Sequence, residues 1–214
     1  NRREKIPMSI VNRVKAILLT PKSEWTVIEA EADDVPGIYK KYLIYLAAIP
    51  ALAMFIGLSL IGVGGFGISV RLPFFAGLIN AIVGYVLSLV MLYVMSLIVD
   101  ALAPTFGGQK KQLNAFKVIA YGSTAAMVAG VFHLIPGGSI LALLGSLYSI
   151  YLIYLGLPLL MKCPQEKAVA YTAVVIVCAI VAGLLISAIS SIFIPGPGHM
   201  SLGDSGALSI STKG

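Results

Sequence analysis

The sequence predicts an all-α integral membrane protein of five transmembrane helices, N-terminus cytoplasmic and C-terminus outside, preceded by short amphipathic interfacial helices. Three observations predict it. Hydrophobic residues make up 58% of the 214 residues and charged residues only 11%, where soluble domains carry about 25% charged. Mean hydropathy is +0.96. Five apolar stretches reach the roughly 20 residues a span needs, and Lys and Arg gather in alternate connections between them. A water-soluble enzyme needs a charged surface that this composition does not supply, and a disordered chain would not be this apolar. The formal charge of +6 falls between apolar runs, so it points to anionic lipid and membrane orientation rather than to nucleic acid.

Residues 1–7 read as an upstream extension or a cloning remnant ahead of Met8. Residues 8–39 form a cytoplasmic amphipathic segment. In it Ile10, Val11, Val14, Ile17 and Leu18 recur at helical spacing, interrupted by Arg13 and Lys15. That pattern suits a short basic helix lying on an anionic leaflet. Thr20-Pro21 reads as a cap followed by proline at the first helical position. A second short helix then carries Trp25 and Ile28 on one face. Trp25 is the single tryptophan, and an interfacial anchor is one expectation for it; the other is that both helices pack under the bundle. The acidic run Glu29, Glu31, Asp33 and Asp34 reads as a solvated linker, with a cation or basic partner as the alternative.

The five-helix membrane domain covers residues 40–194. Its stretches run from about Tyr42 to Gly62, Leu72 to Val99, Leu113 to Ile135, Ile140 to Met161 and Ala168 to Ile194. Gly64-Gly65, Pro104 with Gly107-Gly108, Pro136-Gly137-Gly138 and Cys163-Pro164 mark the turns. The third stretch is the most polar, with Gln112, Asn114, Lys117 and His133, and a re-entrant segment is its alternative. Thirteen Lys and Arg lie on the N-terminal side of the membrane, Lys117 counted among them, against two on the other. The N-terminus is therefore expected in the cytoplasm. Pro50 and Pro158 fall within or near span ends, and the fourth span is expected to end around Gly156-Leu157-Pro158. Residues 195–214 read as a flexible tail.

Small residues four apart recur in the spans: Asn80, Gly84 and Ser88; Gly122, Ala126 and Gly130; Gly145 and Ser149; Ala179, Gly183, Ser187 and Ser191. They predict a tightly packed bundle or a homo-oligomer. The candidate intramembrane polar residues are Asn80, Asp100, His133, Tyr148, Tyr151 and Tyr154. Asn80 is expected to hydrogen-bond between helices. Asp100 and His133 sit at opposite ends of the membrane, too far apart to act as a pair. The three tyrosines form one stripe that packs or meets lipid head groups. Cys163 and Cys178 are separated by roughly 16 Å of helix rise, which excludes a disulfide. No metal-binding spacing, nucleophile elbow or phosphate loop is present, so no catalytic residue, metal or cofactor is assigned. The candidate lipid or partner contacts are Arg13, Lys15, Trp25, Lys110, Lys111, Lys162 and Lys167. The four loop lysines either form a docking patch for anionic head groups or an acidic partner, or serve only to orient the chain.

Several motifs occur together. Pro21, Trp25 and Ile28 precede the first span; Asp100, Phe106, Gly107 and Gly108 follow the second; Tyr121 lies in the third. Tyr154-Leu-Gly-Leu-Pro158 is followed by Met161, Lys162, Pro164, Lys167, Ala168 and Tyr171. Over roughly residues 8–194 this pattern resembles the bacterial branch of the YIP family, the Ypt/Rab-interacting-protein domain. The resemblance implies a five-span domain with a cytoplasmic N-terminus. Eukaryotic members contact Rab-type GTPases, but their long cytosolic N-terminal region and their aspartate–leucine–tyrosine–glycine–proline element have no clear counterpart here. GTPase binding is therefore not carried over.

The expected function is that of a non-enzymatic integral membrane protein that organises the membrane or binds membrane and cytoplasmic partners. A small transporter, channel or lipid-moving protein is the alternative. The bilayer itself, with anionic lipid, is the first expected partner, and a homo-oligomer or another membrane protein the next. The bacterial inner membrane is the expected location, with an endomembrane as the alternative.

Overall fold

The computed structural model describes residues 9–61, 63–65, 68–70, 73–135 and 137–193. The extension at 1–7, Met8, Arg71, Pro136 and the tail at 195–214 lie outside these residues. Two short helices come first. α1 (Ile10–Leu19) starts at Ser9, whose hydroxyl accepts the Asn12 N–H at 3.3 Å. α2 (Pro21–Ala30) starts on proline, whose fixed φ suits the first turn.

Five helices long and apolar enough to cross a membrane follow. The first span, Val35–Ile61, joins α3 (Val35–Ile38) and α4 (Ile44–Phe55) through wider turns at Tyr39–Leu43 and Ile56–Ile61. Asp34 caps it by accepting the Gly37 N–H at 3.0 Å. Pro50 lies inside α4. Where Gly64-Gly65 suggests a turn, the backbone forms a small ribbon, β1 (Val63–Gly65) antiparallel to β2 (Ile68–Val70). The second span is α5 (Phe74–Leu102) with a 3₁₀ turn over Ala103–Phe106. The third, Gln112–Leu134, is built from α6 (Gln112–Gly122), α7 (Thr124–Ala129) and a 3₁₀ turn over Gly130–Leu134. The fourth is α8 (Ser139–Met161) and the fifth α9 (Gln165–Phe193). α8 continues through Pro158 and ends at Lys162, which adopts a left-handed φ of 54°. The expected stop at Pro158 is thus moved one turn on. The ring is accommodated within the helix, and the left-handed residue makes the turn.

The third span is the core. In its most apolar stretch 72% of residues are buried, against 17% to 24% for the other four. The first, second, fifth and fourth spans follow one another around it. A helix surrounded by helices meets lipid little and can carry Asn114, Lys117 and Thr124, which would be costly on an outer helix. This explains why the most polar stretch still forms a span rather than a re-entrant loop.

Small residues divide by location. A Cβ on Gly145 would strike Ala129, and one on Gly130 would strike Pro50, so the third span packs closely on the fourth and first. Gly84 and Gly183 have nothing within 4 Å. The stripes of the second and fifth spans therefore do not mediate close packing inside this bundle.

Candidate functional site

The chemistry concentrates at the lysine-rich end of the bundle. α1 and α2 form a hairpin docked there, α2 against α8 and α1 against α7. Ile17, Trp25 and Ile28 are fully buried beneath it. Arg13 shares their face. Its guanidinium donates to both the Glu24 and Glu31 carboxylates and lies 5.7 Å from the centre of the Tyr121 ring. Burial would lower the Arg13 pKa. The hydrogen bond to Glu31 and the charges of Glu31 and Glu24 outweigh it and hold the pKa above its ordinary value. The cluster continues inward, with Tyr42 and Tyr121 rings 4.9 Å apart and the Tyr42 hydroxyl 2.7 Å from that of Thr124.

Lys117 completes the attachment. It is 1% exposed, and its ammonium donates to the carbonyls of Ile28 at 2.8 Å and Glu31 at 2.6 Å. These acceptors sit at the C-terminal end of α2, where helix carbonyls lack intrahelical partners. The charge count groups Lys117 with the connection before the third span; in the fold it lies inside α6 and caps another helix. The acidic run is likewise not a solvated linker. Glu31 holds Arg13, Glu29 pairs with Lys162, and Asp34 caps α3.

Two connections interlock beside this hairpin. Gln109 N–H donates to the Met161 carbonyl at 2.7 Å, and Lys111 N–H to the Asp100 carboxylate at 2.6 Å. Gly107 turns with φ +73°, and a side chain there would meet Pro164 and the Lys167 ammonium. Phe106 stacks on Tyr171 at 4.7 Å. The result is one continuous surface that leaves Lys110, Lys111 and Lys167 exposed, with Lys15 and Lys22 on the outer side of the hairpin.

Two candidate contacts are corrected by this geometry. Arg13 faces inward and is held by two carboxylates, so it is not a lipid contact. Trp25 is 1% exposed and packs on Gly156 of α8, so it is a packed residue rather than an anchor at the lipid boundary. Lys162 is exposed but carries Glu29 as its partner. The signal for the inward face was present, since Glu24, Ile28 and Glu31 share a helix face and Arg13 lies four residues before Ile17.

The intramembrane candidates are dispersed. Asn80 is half-buried on α5. His133 Nδ1 lies 2.9 Å from the Gly130 carbonyl. Tyr148 donates to Leu18 at 2.7 Å and its ring is 5.6 Å from that of Tyr151, which is 40% exposed; Tyr154 is partly buried. Among the described residues no three His, Cys, Asp or Glu side chains converge as a metal site. Both cysteines are free thiols.

Fold and site define a five-span membrane protein with a helical hairpin locked to one end. Residues 15–189 match the Yip1 domain, and the chain belongs to that family. It is 26% identical over 167 residues to the inner membrane protein YohC of Escherichia coli K12, covering 76% of this chain and 86% of that protein. The YohC protein of Escherichia coli O6:H1 matches equally. No solved structure matches. The spans and these relatives make the chain a multipass inner-membrane protein. The Yip1 domain is not a known enzyme family.

Proposed function

We propose that the chain is a non-catalytic organiser of the inner membrane, with its N-terminus in the cytoplasm. Its lysine-rich face binds anionic lipid head groups and presents them to membrane partners. One observation carries this reading: the hairpin and the two interlocked connections form a single pinned surface, and the connections expose Lys110, Lys111 and Lys167 with no ion-pair partner among the described residues. Each lysine near an anionic leaflet contributes roughly 1 kcal/mol. Spin-labelled phosphatidylglycerol in phosphatidylcholine bilayers tests it. The protein should immobilise phosphatidylglycerol in preference to phosphatidylcholine. The preference should fall with salt and vanish in the Lys110→Gln, Lys111→Gln, Lys167→Gln triple variant. Equal immobilisation of both lipids by the parent protein would overturn the reading.

A small transporter or lipid-moving protein is the second reading. It draws on the break of the third span at Ser123, because interrupted helices at membrane depth line ligand paths in transporters. Lipid-flip and solute-flux assays in proteoliposomes separate the two. The organiser reading expects rates equal to those of empty vesicles.

A further inference from the structure

A cleft lies between the fourth and fifth spans, and Ser123 and Ala126 of the broken third span line it as well. The cleft holds about 350 Å³, within the range of small-molecule sites. Its walls are mainly Ile150, Ile153, Val175, Ile176 and Ile180, and the hydroxyl-bearing residues Ser123, Ser146, Ser149 and Thr172 complete the lining. No charged side chain lines it. Its rim at Ala179 and Ile180 is exposed on the lipid-facing side of α9.

The hydroxyls are arranged for recognition. Ser123, Ser146 and Thr172 donate their protons to the carbonyls of Ile119, Ala142 and Ala168, at 2.7, 3.1 and 2.8 Å. Their oxygens keep acceptor capacity. Ser149 is reversed: its oxygen accepts the Ala126 N–H at 2.8 Å, just past the helix break. Ser149 is 5% exposed, and its own O–H has no acceptor among the described residues. The cleft thus presents one donor and three acceptors in an apolar wall. Irregular backbone at membrane depth persists where it is buried or lines a cavity.

We propose that this cleft binds a neutral bilayer lipid bearing a free hydroxyl, of the diacylglycerol type, entering sideways from the hydrocarbon. Ser149 donates to an ester carbonyl, and the Ser146 or the Thr172 oxygen accepts the one proton of the lipid hydroxyl. The acyl chain lies along Ile176 and Ile180. Absence of any lining cation excludes a phosphate head group at this depth, where an unpaired charge is costly. The site is separate from the lysine-rich face and does not depend on it.

The test uses diacylglycerol with a diazirine in its acyl chain, incorporated into phosphatidylcholine vesicles holding the full chain. Labelled peptides should map to residues 146–153 and 172–180. Unlabelled diacylglycerol should compete and phosphatidylglycerol should not. Ala179→Trp, which fills the mouth from an exposed position, should reduce labelling several-fold. Ser146→Ala with Thr172→Val removes both candidate acceptors while keeping the shape, and should lower it roughly fivefold, the loss of the one hydrogen bond the lipid hydroxyl donates. This pair also serves if the tryptophan variant fails to insert. Labelling spread evenly over all lipid-facing helices, equal competition by phosphatidylglycerol, or full labelling of the Ser146→Ala, Thr172→Val variant would each overturn the proposal. None of these results bears on the triple lysine variant.

Discussion

The ammonium of Lys117 donates at 2.6 Å to the main-chain carbonyl of Glu31, whose carboxylate in turn holds Arg13. One lysine in the central helix thereby fixes the end of α2 and, through Glu31, the middle of α1. Lys117→Met keeps the length of the side chain and removes the donor. It leaves the Ile28 carbonyl with only a long contact from the Glu31 N–H at 3.4 Å. A hydrogen bond from a charged donor contributes about 1.5–3 kcal/mol. Thermal denaturation in detergent should show that loss, and limited proteolysis should cut first between α2 and α3. A variant as stable and as resistant as the parent would show that Lys117 does not hold the hairpin.

Arg13 offers a harsher test of the same attachment. Arg13→Gln leaves Glu24, only 5% exposed, facing Glu31 with no cation between them. Breaking a buried ion pair from one side costs about 3–5 kcal/mol, because a charge is stranded. Removing the group together, as Arg13→Met with Glu24→Met and Glu31→Gln, should restore most of the stability. Denaturant titration of the single and combined variants measures the difference. Arg13→Gln should leave the phosphatidylglycerol preference of the folded protein unchanged, since Arg13 does not face lipid.

The five spans were legible because apolar length alone identifies a segment that crosses a bilayer. Their interior arrangement was not. Hydropathy places Lys117 in the third span but not its role, since its partners Ile28 and Glu31 lie more than eighty positions away in sequence. Charge counting treats every lysine as solvated, and here one of them is the central helix's link to the hairpin. The face of α2 was half legible. Trp25 and Ile28 were read as one apolar side, while Glu24 and Glu31 on that same side reveal that it meets a buried cation rather than lipid. The small-residue stripes were ambiguous because spacing shows which residues align and not which helix they meet. Only the fold separates Gly145, against Ala129, from Gly183, against open space.

That separation is itself testable. Gly145→Val would drive a side chain into Ala129 and the Ala125 carbonyl, which is main chain and cannot move aside. Overpacking of this kind costs about 1–3 kcal/mol. Gly183→Val meets nothing within 4 Å and exchanges a poor helix former for a better one. It should be neutral or slightly stabilising. Melting of the two variants in the same detergent should differ by several degrees, with Gly145→Val the lower. Equal melting would show that the third and fourth spans are not held at this distance.

Cys163 lies in the short turn after α8, where position alone suggests ready access. It is 5% exposed, and burial raises the pKa of its thiol. A raised pKa reduces the thiolate fraction at neutral pH, and thiolate is the reactive form. Labelling of the native protein by a water-soluble maleimide should therefore be slow at pH 7. It should quicken as pH rises and become fast on denaturation. A Lys110→Cys variant in a Cys163→Ala background should label at once from the side of the membrane that the lysine-rich end faces. Fast labelling of native Cys163 at pH 7 would show that the turn is open.

The contact of Trp25 with Gly156 allows the docking of the hairpin to be followed by light. A Cβ at position 156 would lie 2.8–3.0 Å from three atoms of the indole six-membered ring or its fusion edge. Two effects oppose each other in Gly156→Ala. Alanine favours the helix by about 1 kcal/mol over glycine. Overpacking against a rigid ring costs about 1–3 kcal/mol. The clash should win, because Trp25 of α2 is wedged against α8 and its N–H lacks a hydrogen-bond partner among the described residues. With a single tryptophan in the chain, its fluorescence reports on this contact alone. Gly156→Ala should shift emission to the red as the ring is displaced toward water, and should lower the melting temperature. Adding Trp25→Leu should relieve the clash, so the double variant should be more stable than the sum of the two single losses implies. Strict additivity, with unshifted emission in Gly156→Ala, would show that the hairpin does not rest on this contact.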